Sequence, residues 1–247
     1  MMRAYDLGTA PYLEAWRLQE ALATRVRNGA DESLLLLEHP HVFSIGRRGT
    51  LDHLTASADE LRRLGAQVYR VDRGGDITYH GPGQLVAYPI VDVGRHRDGD
   101  VVAYVRAIEE AVIAVAAELG VRTRRIAERT GVWVTLPAGP PAKLCAIGVR
   151  VSRGVTTHGL ALNVATDLAW FERMIPCGFA HQAASLERLG VRVTPDEVKP
   201  LLARALGETL GVEVVDGGTP DPPLEPEIRE SAPVRAAVDL LRQRFAA

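Results

Sequence analysis

The chain has 247 residues, 47% of them hydrophobic, with a formal net charge of -2. That length supports one large domain with a sizeable core, and the charge balance gives no global pull toward nucleic acid or an anionic membrane. The N-terminal stretch MMRAYDLGTAPYLEAW lacks the apolar core of a signal peptide and the run Leu34 to Leu37 is far too short to span a bilayer, so the expected location is cytoplasmic.

In chain order, Leu13, Trp16, Leu22 and Val26 recur at near-helical spacing behind Pro11, which suits a first turn, and predict a helix over 11–28. A buried strand is expected over 33–38. The segment HPHVFSIGRRG then turns the chain before a short helix around 59–64, which Gly65 stops. Strand 66–72 leads into RGGDITYHGPGQ at 73–84, a glycine-rich loop, and then into the apolar strand 85–91. Residues 100–119 carry the strongest helical pattern, through Val101, Val105, Ile108, Val112, Val115 and Leu119, and Gly120 ends it. Strand 131–136 and a PAGPPA turn precede two alternating segments, 143–151 and 155–164, which read as a hairpin. A short helical stretch at 167–173 leads to MIPCGF, and further helices are expected at 195–209 and 233–245. Between those two, the prolines and acids of DGGTPDPPLEPE mark an exposed linker. The expected division is a catalytic domain over 1–215 and a proline-rich linker with a C-terminal helical appendage over 216–247. Strands and helices mix without regular βαβ alternation, which favours an α+β fold, a mixed sheet with helices on its outer face.

The loop at 73–84 crowds five glycines or prolines together with Arg73, Tyr79, His80 and Gln84. Its bare backbone permits close approach of a phosphate or thioester oxygen, but no Lys-Ser or Lys-Thr follows as in a Walker A loop, and the GxGxxG dinucleotide fingerprint is absent. Two cysteines occur, Cys145 and Cys177. With no clustered partners they make a poor metal site, and no metal or other cofactor is expected. Cys177 lies in Pro-Cys-Gly, a turn whose backbone can expose a nucleophilic thiol, whereas Cys145 sits within the alternating strand KLCAIGV, where a buried thiol needs no function. Of 29 basic residues only Lys143 and Lys199 are lysine. Unlike a guanidinium, an amine can release its proton near neutral pH. Lys143, opening its strand directly after Pro-Pro-Ala, is therefore a candidate for stabilising a thiolate and handling its proton. His80 and His158 are further candidates, each equally readable as a hydrogen-bonded structural residue.

RGGDITYHGPGQLVAYPI at 73–90, AKLCAIGVRV at 142–151, THGLALNV at 157–164 and PCG at 176–178, in that order and spacing, resemble the signature segments of the lipoyl(octanoyl) transferases. The resemblance runs from about residue 34 to 210. It implies the fold of the biotin and lipoate protein ligases, which is class II synthetase-like. It also implies transfer of an octanoyl group from octanoyl-acyl carrier protein to a lysine on lipoyl domains, those of 2-oxoacid dehydrogenase E2 subunits and the glycine cleavage H protein. Cys177 would carry the acyl group and Lys143 would lower its pKa. The substrate site would be lined by Arg73, Gly74, Gly75, Asp76, Ile77, Thr78, Tyr79 and His80, by Ala146, Ile147 and Gly148, and by Gly159, Leu160 and Ala161, with His158 accessory.

The chemistry agrees, because thioester exchange is nearly isoenergetic and thioester aminolysis runs downhill, so neither ATP nor a metal is needed. Burying an octanoyl chain at about 0.8 kcal/mol per methylene would give several kcal/mol of binding. The small residues Ala146, Gly148, Gly159 and Ala161 would leave room for it. Arg47, Arg48, Arg62, Arg63, Arg122, Arg124 and Arg125 are candidates for docking acidic carriers. The rival readings are an ATP-dependent lipoate or biotin ligase on the same fold, a non-catalytic lipoyl-domain binding module, and a cysteine hydrolase.

Overall fold

The structure is a computed structural model that describes residues 1–175 and 182–223. Among the described residues, eleven strands form two sheets. In chain order, β1 (Met2–Thr9), α1 (Tyr12–Arg27), β2 (Glu32–Glu38) and β3 (Val42–Ile45) are followed by α2 (Ala58–Arg63), β4 (Gln67–Arg70), β5 (Ile77–His80) and β6 (Gln84–Ile90). Then come α3 (Val93–Arg97), α4 (Val101–Glu118), β7 (Arg124–Ile126), β8 (Arg129–Val134), β9 (Ala142–Ser152), β10 (Val155–Asn163), α5 (Pro195–Leu210) and β11 (Val214–Asp216).

The larger sheet has eight strands in the order β11-β1-β2-β6-β10-β9-β8-β7. It is mixed: β1 runs parallel to β2 and β11, and the pairings from β2 through β7 are antiparallel. Period-two alternation along β2 explains its unbroken leucine run. Leu34 and Leu36 face α4 and α5, while Leu35 and Leu37 face α1, so both sides are buried. Helices thus cover both faces of this sheet rather than one. The smaller sheet, β4-β3-β5, caps one end with its own cluster of Phe43, Tyr79 and Trp170.

The hairpin of β9 and β10 turns through Arg153 and Gly154, both at positive φ, as a tight two-residue turn requires. The sequence pattern expects a turn at 39–49 and a loop at 73–84, yet each holds a four-residue strand, β3 and β5, paired antiparallel. The two are too short for periodicity to reveal and are specified by each other. At the C-terminal end β11 pairs with β1, and Arg25 binds Asp221 at 2.6 Å, so residues up to Asp221 contact the main body. The expected helix at 233–245 lies outside the described residues. Among the described residues, no helix is long and apolar enough to cross a membrane.

Candidate active site

A cavity of about 860 Å³ opens where the two sheets meet over the β9–β10 hairpin. Such a volume suits a small-molecule or acyl group, since ligand sites are roughly 300–1,000 Å³. From β9 come Lys143, Ala146, Ile147 and Gly148, and from β10 His158, Gly159, Leu160 and Ala161. From the glycine-rich segment come Arg73, Gly74, Gly75, Asp76, Ile77, Thr78 and His80. Tyr79 is placed elsewhere. Alternation along β5 turns it into the small sheet's cluster, where its hydroxyl meets His41 Nδ1 at 2.8 Å and its ring stacks on Trp170.

Lys143 is held by its neighbours on both sides. Across the sheet it faces Trp133, with Nζ 4.6 Å from the ring centroid, a cation–π contact. The register slips between Val132 and Trp133, so one residue of β9, Leu144, is extra opposite them. Such a bulge re-aims the adjacent side chain. On the other side, the amide of Lys143 donates to Gln182 O at 2.8 Å and the amide of Ala184 donates to Lys143 O at 2.9 Å.

Cys177 lies outside the described residues, as does the rest of 176–181. The chain on either side of that segment borders the cavity. Met174 and Ala183 both line it, and the amide of Ile175 donates to the carbonyl of His53, another lining residue. Cys145 is fully buried and its thiol is pushed up to about 12 by burial, so it stays protonated and unreactive.

A buried hydrogen-bond chain joins the glycine-rich segment to Ala184, just beyond 181. Arg73 Nη2 donates to Ser44 O at 2.5 Å and to Ser44 Oγ at 2.9 Å. Ser44 Oγ lies 3.1 Å from His80 Nε2, and His80 Nδ1 lies 2.8 Å from Gln84 Oε1. Gln84 Nε2 donates to Asn163 Oδ1, and Asn163 Nδ2 donates to Ala184 O, each at 2.9 Å. With Gln84 accepting, His80 carries its proton on Nδ1 and accepts from Ser44 on Nε2. Burial, the neighbouring His39 and Arg73 hold its pKa well below the ordinary histidine value. His80 is therefore a neutral link in this chain, suited to orienting Arg73 rather than to moving protons.

His158 adopts φ +58°, unusual for a non-glycine residue. It is held there by Gln19 Oε1, which accepts its amide at 2.6 Å, and by Asp72 Oδ1 at 2.9 Å from Nε2. Burial lowers its pKa, and Asp72 opposes this only in part.

The hairpin glycines do not leave open room. A Cβ on Gly148 would sit 2.9 Å from Gly74 O, and one on Gly159 would sit 2.2 Å from Ala87 O. The bare faces of these glycines admit the 73–75 segment and β6, whose Gly74 amide also donates to Val149 O at 2.9 Å. Ala146 and Ala161, paired across the hairpin, line the cavity alongside these glycines.

The sequence reading passes over several lining residues. Tyr12 stacks on His80, Tyr88 meets His39 Nε2 at 2.8 Å, and Trp133 and Asn163 reach the cavity from separate strands. Each belongs to an ordinary-looking helix or strand, so only long-range packing reveals it. The arginine candidates Arg47, Arg48, Arg62, Arg63, Arg122, Arg124 and Arg125 are all exposed. Arg62 pairs with Asp59, and Arg125 is engaged by Glu109 and Glu110. Among the described residues, no group of three or more His, Cys, Asp or Glu side chains could hold a metal ion.

A mixed sheet whose β9–β10 hairpin sets a lysine beside a cavity of this size has the frame of a catalytic domain that binds a small group. Residues 11–207 match the family described as the lipoyl protein ligase A/B catalytic domain, and the chain belongs to that family. Within it, the octanoyltransferase of Solibacter usitatus is 46% identical over 215 residues, covering 87% of this chain and 95% of that protein. The octanoyltransferase of Acidothermus cellulolyticus is 48% identical over 206 residues, covering 82% and 89%. Among solved structures, lipoate-protein ligase A bound with ATP matches with a TM-score of 0.73 at 20% identity, covering 89% of each chain. The biotin protein ligase of Aquifex aeolicus matches with 0.52 at 13% identity, covering 85% of this chain and 70% of that one. These structures share the biotin and lipoate ligase fold with the chain.

Proposed function

We propose that this protein is a cytoplasmic octanoyltransferase of protein lipoylation. It moves an octanoyl group from octanoyl-acyl carrier protein to the ε-amino group of a lysine on lipoyl domains, including those of 2-oxoacid dehydrogenase E2 subunits and the glycine cleavage H protein. Residues 1–215 carry the activity, and 216–247 are an appendage.

The observation that most supports a role for Cys177 with Lys143 is the position of the flanks of 176–181. Met174 and Ala183 line the cavity, and Gln182, five positions beyond Cys177, accepts the amide of Lys143. Five residues span at most roughly 18 Å even when fully extended, which limits how far the thiol can lie from this lysine's strand.

The chemistry runs in two steps. The Cys177 thiolate attacks the donor's thioester carbonyl, and the carbon–sulfur bond to the donor breaks. The departing thiolate takes a proton from the Lys143 ammonium and leaves octanoyl-Cys177. The acceptor amine then attacks this thioester, gives its proton to the now neutral Lys143, and expels Cys177 as a thiolate beside the restored ammonium. Trp133 supports the charged form of Lys143 through its ring. Ala146, Ile147, Leu160 and Ala161 supply apolar wall for the octanoyl chain.

The test is transfer without ATP. Octanoyl-acyl carrier protein and a lipoyl domain are incubated with the enzyme, and the domain's mass is followed. Octanoylation of the domain lysine supports the proposal. Modification only when ATP and free octanoate are supplied would instead make the protein a ligase.

A further inference from the structure

Glu109 is a fully buried carboxylate on α4 that the two-step chemistry leaves unused. Burying an ionised side chain is costly unless its charge is met by partners. Its Oε2 accepts from Arg106 Nη1 at 2.6 Å and from Arg125 Nε at 3.1 Å, both partly exposed. Arg125 also binds the neighbouring Glu110 at 2.5 Å. With that charge compensated, Oε1 is directed at a single main-chain group, the amide of Gly131, at 3.0 Å.

Gly131 is no ordinary strand residue. Its φ of +122° lies in the region that favours glycine, and a Cβ there would sit 2.6 Å from Cys145 O. The same Cβ would lie 3.6 Å from Lys143 Cε and 3.7 Å from Cδ, so the glycine's bare face lies against the stem of Lys143. The other wall of that slot is Trp133, two residues along the same strand, with its ring 4.6 Å from Nζ. The register slip between β8 and β9 falls beside them, where the strand pairing no longer sets the spacing by itself.

From this geometry we infer that Glu109 is a positioning residue for Lys143: by anchoring Gly131 from behind the sheet, it fixes the slot between Gly131 and Trp133 that holds the lysine over the cavity. The inference rests on the proposed role of Lys143. The relevant feature of Glu109 is the reach of its acceptor oxygen. Gln at this position keeps an acceptor within reach of the Gly131 amide. Asp keeps the charge for Arg106 and Arg125 but withdraws the acceptor by one methylene.

The experiment compares Glu109→Gln and Glu109→Asp in the full-length enzyme, with steady-state acyl transfer, the pH profile of Cys177 alkylation by iodoacetamide, and thermal melting. For Asp, kcat falls by about 10- to 100-fold, the range a small misplacement of a reacting group produces, while KM for the acyl donor stays within about twofold. The alkylation midpoint moves to higher pH as the ammonium loses its place beside the thiol. For Gln, kcat and the alkylation midpoint stay close to wild type. A folded Glu109→Asp enzyme with wild-type kcat and alkylation profile overturns the inference and leaves Glu109 as a fastener between helix and sheet, a role that moves the melting temperature alone. Lys143→Ala in parallel separates the two claims. If that variant keeps full transfer, the role of Lys143 itself fails; if it is inactive while Glu109→Asp is normal, only the inference about Glu109 fails.

Discussion

Asn163 Nδ2 donates to the carbonyl of Ala184 at 2.9 Å, closing a buried chain of side chains that begins at Arg73 and ends beside Lys143. The link ties the glycine-rich segment to Ala184, just beyond 176–181.

Asn163→Ala therefore leaves both Ala184 O and the Gln84 amide without this partner in a buried setting. Gln84 Nε2 keeps Tyr79 O at 3.2 Å, and a buried group left unsatisfied costs about 1–3 kcal/mol. The expected result is a lower melting temperature together with slower octanoyl transfer. Melting curves and single-turnover rates check it. A variant that loses stability but transfers at the wild-type rate would show that the chain braces the fold without serving the site.

The two hairpin glycines make a second prediction. Gly159→Ala drives a methyl group onto the carbonyl of Ala87 and is expected to destabilise strongly, whereas Gly148→Ala presses on Gly74 O and lifts the 73–75 segment. Overpacking of this kind typically costs about 1–3 kcal/mol. Neither change should shift the enzyme toward shorter acyl chains, while Ala146→Val, which adds bulk on the cavity side, should. Donors of six, eight and ten carbons, compared in kcat/KM, separate the two behaviours. A chain-length shift in Gly148→Ala with unchanged stability would contradict this reading of the glycines.

The buried histidines give the protein an acid-sensitive stability. Burial brings His39 down to about 4 and holds His80 well below the ordinary value, and His158 is also lowered. Below the unfolded value of about 6.5 the unfolded chain binds protons that the folded chain refuses, so stability is lost as pH falls from about 6.5. Each such histidine contributes a slope of up to about 1.4 kcal/mol per pH unit. Glu20, whose pKa burial raises, acts in the opposite sense near the carboxylate range, so the clearest window lies above about pH 5. Melting temperatures between pH 7.5 and 5 should decline steadily, and His39→Gln should flatten the decline. A level profile across that window would contradict the neutral, buried state of these rings.

How much of this was visible in the sequence depends on the range of the interaction that specifies each part. The helices α1 and α4 and the β9–β10 hairpin carry their own periodicity, and the structure has them within a residue or two of where the pattern puts them. Strands β3 and β5 carry almost none, because four residues hold less than a full pattern and their pairing partner lies more than thirty positions away. The two lysines show the same limit. Scarcity marks both Lys143 and Lys199, yet Lys199 is clamped by Asp6 at 2.7 Å and Asp196 at 2.6 Å. Burial opposes its charge, but those hydrogen bonds outweigh it and raise its pKa, the reverse of what proton transfer needs. Scarcity alone does not separate the two, whereas the contacts of Lys199 set it apart. Likewise Trp133, Tyr12 and Asn163 reach the cavity through the crossing of elements, a relationship that no local motif encodes.

The most direct test of the central claim is intact mass of the enzyme after mixing with octanoyl-acyl carrier protein in the absence of ATP and of any acceptor. The account predicts a single octanoyl adduct, mapped to Cys177, present in Cys145→Ala and absent in Cys177→Ser. An adduct on Cys145, or acceptor octanoylation that persists in Cys177→Ser, would contradict it.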